Sequence, residues 1–250
     1  MTRVGIIRLI LVSAFVAVVE LACRTGIMDP FTMIAPSAMA ASLAGLIEDG
    51  KLGADLAFTL TNMAASIALA VVAGFVSGAV IHALPRLRRV VDPLLAAYYA
   101  VPTFVFYPLL VVILGLNRLP LIVIGAMFGT VGMAVNTIDG IDRIPRVLIK
   151  TASAYRMDPI RAVLLIKLPA ATPHLFTGVK LAVTYSMIGV VAGEFILSMA
   201  GLGRSIAFAY NDLDNTTMYG LLLLLLSITT AVNVLLNYAE QRVYRRWGCA

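Results

Sequence analysis

The chain has 250 residues, of which 61% are hydrophobic and 13% charged, and its mean hydropathy is +0.97; soluble domains are about half apolar and about a quarter charged. This excludes a soluble globular protein and points to an all-α, polytopic membrane protein, because a helix crossing the bilayer core needs about 20 mostly apolar residues and satisfies its own backbone hydrogen bonds. The net charge of +6 fits membrane topology and anionic headgroups, so membrane lipid is an expected partner and nucleic acid is not.

Six stretches are predicted to span. The first, roughly Val4–Cys23, follows Arg3 and Arg8. It could be read as a signal peptide ending in Leu21-Ala22-Cys23. Glu20, however, stands where a small apolar recognition residue is expected, and the run is close to a full span, so an uncleaved helix is predicted. Cys23 and Cys249 then fall on opposite sides of the membrane and form no pair. A more polar outer segment follows, Arg24–Thr61, with Asp29, Glu48, Asp49 and Asp55. Gly45 to Lys51 fits the opening of a phosphate-binding loop, but Leu52 stands where Ser or Thr must hold magnesium, two carboxylates lie inside, and no buried strand precedes it. A solvated helix end and turn is expected there, with no nucleotide.

The second, third and fourth spans are predicted at roughly Met63–Leu84, Leu94–Leu116 and Leu119–Ile138, the fifth and sixth at roughly Leu175–Leu197 and Met218–Tyr238. Pro102 and Pro108 interrupt the third, which is tolerated where neighbouring helices cover the freed carbonyls. Gly74-x-x-x-Gly78, Gly125-x-x-x-Gly129 and Gly189-x-x-x-Gly193 each put two small residues on one helix face, which predicts close helix packing in a compact core. His82 and His174 lie beside prolines at membrane boundaries without metal-ligand spacing, and are read as structural. Ser66, Ser77, Ser186, Ser198 and Ser227 are expected to bond a carbonyl one turn back or a neighbouring helix. No catalytic residue, metal site or cofactor is read from the chain.

Between the fourth and fifth spans the chain turns basic and amphipathic. Ile144, Leu148, Thr151 and Tyr155 recur at helical spacing, with Arg146, Lys150 and Ser153 on other faces. Asp158-Pro159 then supplies a favoured cap and first helical residue for a second helix, with Ile160, Val163, Leu164 and Leu168 on one face and Arg161 and Lys167 off it. Pro169 is expected to end that helix, and Thr172-Pro173 to start the fifth span. Two explanations compete for this helix–turn–helix: a pair lying in the headgroups, or an element docked in a groove on a partner.

Glu194, near the outer end of the fifth span, is a carboxylate where insertion is unfavourable by about 2.5–3.5 kcal/mol at a helix centre. It either lines a polar pathway or holds an outer gate, or it pairs locally with Arg204 or an Arg118-like cation. Lys and Arg placement sets the orientation. With the N-terminus inside, only Arg24, Lys51, Arg118 and Arg204 of the 19 Lys and Arg residues lie outside, which predicts that both termini are cytoplasmic.

From about Asp49 to Trp247 the sequence resembles the permease subunit of binding-protein-dependent ABC importers, specifically the taurine, alkanesulfonate and nitrate branch. That family's cytoplasmic loop reads Glu-Ala-Ala, three residues, Gly, nine residues, Ile, and then Leu-Pro. Here Lys150-Thr151-Ala152, Arg156, Ile166 and Leu168-Pro169 hold those places. Leu87 to Leu94, Val101-Pro102, Asn136-Thr137, Val190 to Glu194 and Gly201-Leu202-Gly203 match in the family's order. The resemblance implies an ABC importer type-1 permease fold, with residues 1–55 as first helix and outer segment, 56–240 as the core and 241–250 as a cytoplasmic tail. It implies a multi-pass protein of the bacterial inner membrane that is no enzyme. A separate cytoplasmic ATPase dimer hydrolyses ATP, a solute-binding protein delivers cargo outside, and a second permease copy, the same or different, completes the pathway.

Coupling to the ATPase is expected at Lys150, Thr151, Ala152, Arg156, Asp158, Pro159, Ile166, Leu168 and Pro169, with Glu194, Gly201 and Gly203 as pathway or gate candidates. The implied cargo is a small sulfonate-, taurine- or nitrate-like solute moved by alternating access; the alternatives are a self-contained channel or a membrane-embedded enzyme. Two residues depart from the family pattern: Lys150 replaces Glu and Arg156 replaces Gly. A co-adapted acidic site on the ATPase is the favoured reading, over pairing with a second, ordinary permease or weakened coupling.

Overall fold

The computed structural model describes residues 3–29, 32–50, 52–98 and 101–247, whose regular structure is helical throughout. α1 (Arg3–Arg24) is helical over the stretch expected to be the first span. Near its end Glu20 accepts hydrogen bonds from the Ser37 amide at 3.0 Å and the Ser37 hydroxyl at 2.7 Å. That carboxylate meets the positive N-terminal end of α2 (Pro36–Glu48). α2 closes in a turn through Asp49 and Gly50, the latter at φ +67°, as the reading of that stretch requires. Lys51 and Cys249 lie outside the described residues.

α3 (Leu52–Ala83) starts well before the predicted Met63 and runs 32 residues. The expected third span is not one helix. α4 (Pro85–Tyr98) and a second piece, made of a 3-10 turn (Thr103–Val105) and α5 (Phe106–Leu114), meet at 90°. Pro102 has no N–H to carry a helix through this point, and Arg86, Arg88, Arg89 and Asp92 make α4 too charged to lie wholly in hydrocarbon. α5 reaches about 14 Å, about half of a bilayer core. Arg88 holds α4 to the end of α6 (Leu119–Asp142). Its guanidinium grips Asp142 with two hydrogen bonds of 3.0 and 2.6 Å, and His82 Nε2 lies 3.1 Å from the same carboxylate. His82 is thus structural.

Beyond α6 come α7 (Arg146–Ala154) and α8 (Pro159–Ala162), then a π-helical turn (Val163–Lys167) that runs without a break into α9 (Leu168–Leu197). The helix does not end at Pro169, and Thr172-Pro173 does not start the span; Pro173 lies inside the helix. The Leu168 amide bonds the Val163 carbonyl, five residues back, so the wide turn shifts the ladder just before the residue that lacks a donor. One turn later the Thr172 hydroxyl donates back to the Leu168 carbonyl at 2.9 Å, as threonines inside helices commonly do. α10 (Leu202–Asn211) and α11 (Asn215–Trp247) complete the chain. Asp214 starts α11: its carboxylate accepts from the Thr217 amide at 3.1 Å and is held below the usual carboxylate range by bonds to Thr217.

Four stretches of the described residues are long and apolar enough to cross a membrane: 52–83, 119–142, 160–196 and 215–242; the bent pair would make a fifth. α3, α6 and α9 form the core, with Met63, Ala70, Ile124, Met133, Ala182 and Val190 buried. The small-residue faces explain how closely they pack. A Cβ on Gly189 would lie 2.7 Å from the Gly125 Cα, and one on Gly78 would lie 2.6 Å from the Ala134 carbonyl oxygen. In hydrocarbon, where apolar burial between helices brings little, such contact supplies the packing energy. Three of the serines follow expectation: Ser66 donates to the Ile122 carbonyl of α6 at 2.9 Å, Ser77 to the Gly74 carbonyl at 3.2 Å and Ser227 to the Leu223 carbonyl at 2.8 Å; Ser198 instead donates forward to the Ala200 carbonyl at 2.6 Å, and Ser186 Oγ is buried without a partner among the described residues. α2 and α10 pack on the N-terminal half of α11, where Ser42 donates to the Thr216 carbonyl at 2.8 Å and Leu202, Ile206 and Leu221 share a buried cluster.

Candidate functional site

The sequence-predicted residues fall into two groups at opposite ends of the bundle. At one end α7, a turn, α8 and the π turn form the helix–turn–helix read from the sequence. The turn is made by Arg156. It adopts φ +47°, the Arg156 amide bonds the Ser153 carbonyl and the Met157 amide bonds the Ala152 carbonyl, both at 3.0 Å. This six-to-one plus five-to-two pair is the helix-ending motif that favours Gly in the left-handed position. The residue that departs from the family's Gly therefore sits where only Gly is unstrained, and an arginine holds the turn at about 1–2 kcal/mol. Arg156→Gly is expected to raise the melting temperature of the purified chain by a few degrees; a lowered one would mean that the guanidinium contributes more than its backbone strain removes.

Asp158 caps the next helix, accepting from the Ile160 amide at 3.2 Å, and α8 begins at Pro159 as expected. Ala152 is buried, while Lys150, Thr151 and Arg156 are exposed and Ile166 is half-buried. Around them the segment leaves apolar side chains in the open: Val147, Tyr155, Ile160, Leu164 and Leu165 are all more than half exposed, and Leu168 is 36% exposed. Charged Arg146, Lys150, Arg161 and Lys167 lie among them, also exposed. The result is an apolar crest with a basic surround, joined through the π turn to α9.

At the other end Glu194 is fully buried. Its Oε2 accepts from the Thr59 hydroxyl at 2.7 Å and from the Gly203 amide at 3.1 Å. The Leu202 amide donates to Thr59 Oγ1 at 2.8 Å, the Gly201 amide to Asp55 Oδ1 at 3.0 Å and the Ser205 hydroxyl to Asp55 Oδ2 at 2.6 Å. Side chains from α3 and α9 thereby take up the first free amides of α10, and a carboxylate faces its positive end. Gly201, at φ +106°, and Gly203 make room: a Cβ on Gly201 would lie 2.5 Å from Glu194 Cδ, and one on Gly203 would lie 2.6 Å from Glu194 Cβ. Glu194 Oε1 and Asn62 Nδ2 are buried without a hydrogen-bond partner. The local ion pair entertained for Glu194 does not form, because Arg204 donates to the Met199 carbonyl and Arg118 lies over the Phe58 ring, 4.6 Å from its centre.

Asp55, Thr59 and Asn62 were not singled out from the sequence as partners of Glu194. Their signal is there: with Ser66 they recur at positions 55, 59, 62 and 66, one polar stripe along an apolar helix.

Along α9 and α11, with Ile206 of α10 and Phe104 at its edge, runs a half-open groove of about 630 Å³. Met187, Val191, Leu225 and Ile206 give it apolar walls, and Thr184, Thr229 and Asn233 are its polar lining. No charged residue among those described lines it. Just beyond it, Lys180 of α9 donates to Asn237 Oδ1 at 2.8 Å and lies 2.9 Å from Glu240 Oε2, both on α11.

The profile of the family described as "binding-protein-dependent transport system inner membrane component" matches residues 66–247. A probable ABC transporter permease protein of Haemophilus influenzae is 27% identical over 184 residues, 74% of this chain and 75% of that protein. The riboflavin transport system permease protein RibX of Chloroflexus aurantiacus is 30% identical over 161 residues; the match covers 64% of this chain but only 60% of that protein's length. The nitrate import permease protein NrtB of Leptolyngbya laminosa is 24% identical over 188 residues, 75% of this chain and 67% of its own. A chain from inward-facing conformations of the MetNI methionine ABC transporter superposes with a TM-score of 0.61 at 23% identity, covering 77% of this chain and 94% of that one, which establishes a shared fold.

Proposed function

Because this chain belongs to the family of binding-protein-dependent transport system inner membrane components, and is thus a permease subunit of an ABC importer and not its ATPase, we propose that the 144–169 segment is where a cytoplasmic ATPase dimer drives it. The observation that carries this reading is the exposed apolar crest of α7, α8 and the π turn, fused to α9. A headgroup-lying pair would suit the same amphipathicity, but it gives no reason to keep a costly left-handed arginine at the turn. On this reading both termini and the crest face the cytoplasm, with the Glu194 knot on the outer side, where a solute-binding protein delivers cargo and α10 acts as part of the outer gate. Residues 56–240 form the permease core, and a second permease copy completes the pathway.

The exposed Lys150, in the family's Glu place, fits an ATPase surface with a matching acid. The nitrate permease supports a small anion, yet the groove beside α9 has no charged residue among its described lining and the nearby Lys180 is paired with Glu240. That observation favours a second reading, an uncharged or dipolar solute.

The test is Leu168→Asp in the complex purified with its ATPase and reconstituted in vesicles. ATP hydrolysis is expected to persist while uptake falls by about tenfold or more, equivalent to losing about 1.4 kcal/mol of coupling. Unchanged uptake would remove the coupling role, and solute flux without nucleotide would replace it by a channel.

A further inference from the structure

We infer, resting on the pathway reading above, that the outer face of the bundle carries a small-oxyanion site built on Arg118 and Tyr107, which takes the carboxylate, sulfonate or nitrate-like group of a solute. A half-open cavity of about 250 Å³ lies there, lined among others by Phe58 of α3, Tyr107 of α5, the Asn117–Arg118 turn, and Ser198 and Met199 after α9. Its volume is below the about 300–1,000 Å³ of drug-sized sites, so it suits a solute of few heavy atoms. Among the described residues Arg118 is the one charged group in that lining, and no carboxylate joins it. Glu194, one turn before Ser198, is fully buried and turns Oε2 to Thr59 and Gly203.

Arg118 differs from the other cations predicted to lie outside. Arg24 is 2.6 Å from Glu20, Arg204 donates to the Met199 carbonyl, and Lys51 lies outside the described residues. Arg118 makes no hydrogen bond or ion pair among the described residues, yet it is held in place. Its guanidinium lies over the Phe58 ring, 4.6 Å from the centre. Stacking occupies one face of the guanidinium plane and leaves its N–H edge free, a fork for two oxygens of one anion. The backbone beneath is fixed as well: Gly115 turns at φ +81°, Asn117 Nδ2 donates to the Leu114 carbonyl at 2.6 Å, and Asn117 Oδ1 accepts from the Leu119 amide at 2.7 Å. The same turn starts α6, 24 residues long, whose positive end adds to the attraction for an anion.

The second donor is Tyr107. It is only 1% exposed, packs with Leu121 and Ile124, and lines the cavity. Its hydroxyl has no hydrogen-bond partner among the described residues, whereas a buried tyrosine hydroxyl usually finds one. Ser198 does not compete for the same ligand, since its hydroxyl donates to the Ala200 carbonyl at 2.6 Å and accepts from the Ala200 amide at 3.2 Å. An oxyanion satisfies the guanidinium edge and the tyrosine hydroxyl together, and a dipolar solute is held by its anionic end. A lipid phosphate offers the same chemistry from a second source, which the experiment separates.

The experiment reads the guanidinium itself. The full importer, purified with its ATPase and kept without ATP, is treated with phenylglyoxal at constant ionic strength. Modification of Arg118, Arg24 and Arg204 is followed by peptide mass spectrometry as methanesulfonate or nitrate replaces chloride. The expected result is saturable protection of Arg118, by about fivefold at a probe concentration of about four times Kd, while Arg24 and Arg204 change by less than about twofold. Tyr107→Phe is expected to cut that protection by about half or more and to leave the rate without probe unchanged, because the hydroxyl it removes is unpaired in the fold.

No protection of Arg118, equal protection of all three arginines, or full protection in Tyr107→Phe would overturn the site. Should Tyr107→Phe also alter the labelling of Arg24 and Arg204, Phe58→Leu decides in its place: freed from its ring, Arg118 is expected to lose about half of its protection or more, and unchanged protection overturns the site. The two sources are separated by running the reaction in maltoside micelles, which hold no phosphate, and in phospholipid nanodiscs. A small-solute site is protected by the probe in both. A site filled by lipid phosphate labels slowly in nanodiscs from the start and gains nothing from the probe there, an outcome that would overturn the proposal. Labelling needs neither ATP hydrolysis nor uptake, so a failed anion site leaves the Leu168 coupling test standing, and a failed coupling test leaves the labelling result unchanged.

Discussion

Gly201→Val is expected to unseat α10 and to destabilise the folded chain by about 2 kcal/mol or more. Two independent terms add. A valine at φ +106° occupies backbone space that side-chain-bearing residues reach only at about 1–3 kcal/mol. Its Cβ must also share the volume of the Glu194 carboxylate, 2.5 Å from Cδ, an overpacking that contributes about 1–3 kcal/mol more. Gly26→Val separates the two, because Gly26 is at φ +74° with nothing within 4 Å of a new Cβ. Thermal unfolding in detergent is expected to show a drop for Gly201→Val at least twice that for Gly26→Val; equal drops would mean that the cradle around Glu194 carries no weight. Glu194→Gln retains an acceptor for Thr59 and Gly203 and should shift the transition little. Glu194→Ala strands both donors, at about 1–3 kcal/mol each by soluble-protein measure, although hydrogen bonds between membrane helices average only about 0.6 kcal/mol.

The second large effect lies at the seam of α6 and α9. Gly189→Leu places a Cβ 2.7 Å from the Gly125 Cα, and a backbone atom cannot rotate away as a side-chain tip can. The helices must part along several turns, which separates Val190 and Ala182 from their partners in the core. The loss is expected at the upper end of the about 1–3 kcal/mol range for overpacking, read as a sharp fall in monodisperse protein extracted from membranes. Gly45→Leu, in open space on α2, should be neutral or favourable by about 0.8 kcal/mol through helix propensity alone. If both variants extract equally well, the small-residue seam does not set the packing.

Much of this architecture was legible in the residues because bilayer physics is local. An apolar run near 20 residues must be a helix, so α3, α6, α9 and α11 could be located from composition, and Gly125 and Gly189 announced a close approach without naming each other. Asp158-Pro159 was readable as a helix start for the same reason: a cap acts within one turn. Pro169 misled because its effect depends on what precedes it. Preceded by an ordinary turn it would end a helix; preceded by the wide turn at Val163–Lys167 it is absorbed, and nothing in Val163-Leu164-Leu165-Ile166-Lys167 marks the wider register. The third span failed similarly, since the charges of α4 and the missing donor of Pro102 act together to fold one apolar stretch into two.

The knot around Glu194 shows a different limit. Thr59 lies 135 residues away in sequence, and no local rule pairs them. What could be read was the polar stripe of α3 on one side and an unexplained carboxylate on the other. At Arg156, which stands in the family's Gly place, the hydrogen bonds to the Ser153 and Ala152 carbonyls keep the turn whole around a residue that local propensity disfavours there.

The uninterrupted helix from 160 to 196, 37 residues long, is about 55 Å at 1.5 Å per residue. A rod of that length joined to the exposed crest needs no relay of contacts to carry a tilt from one face of the membrane to the other; covalent continuity does it. Its fidelity is then a matter of bending stiffness, and the softest place is the π turn, where the ladder is widest. Lever arms fail at their compliant joint, so on the coupling proposed above the sensitivity of the far end to events at the near end should be governed less by which residues an ATPase would touch than by how rigidly five residues, Val163 to Lys167, hold their angle.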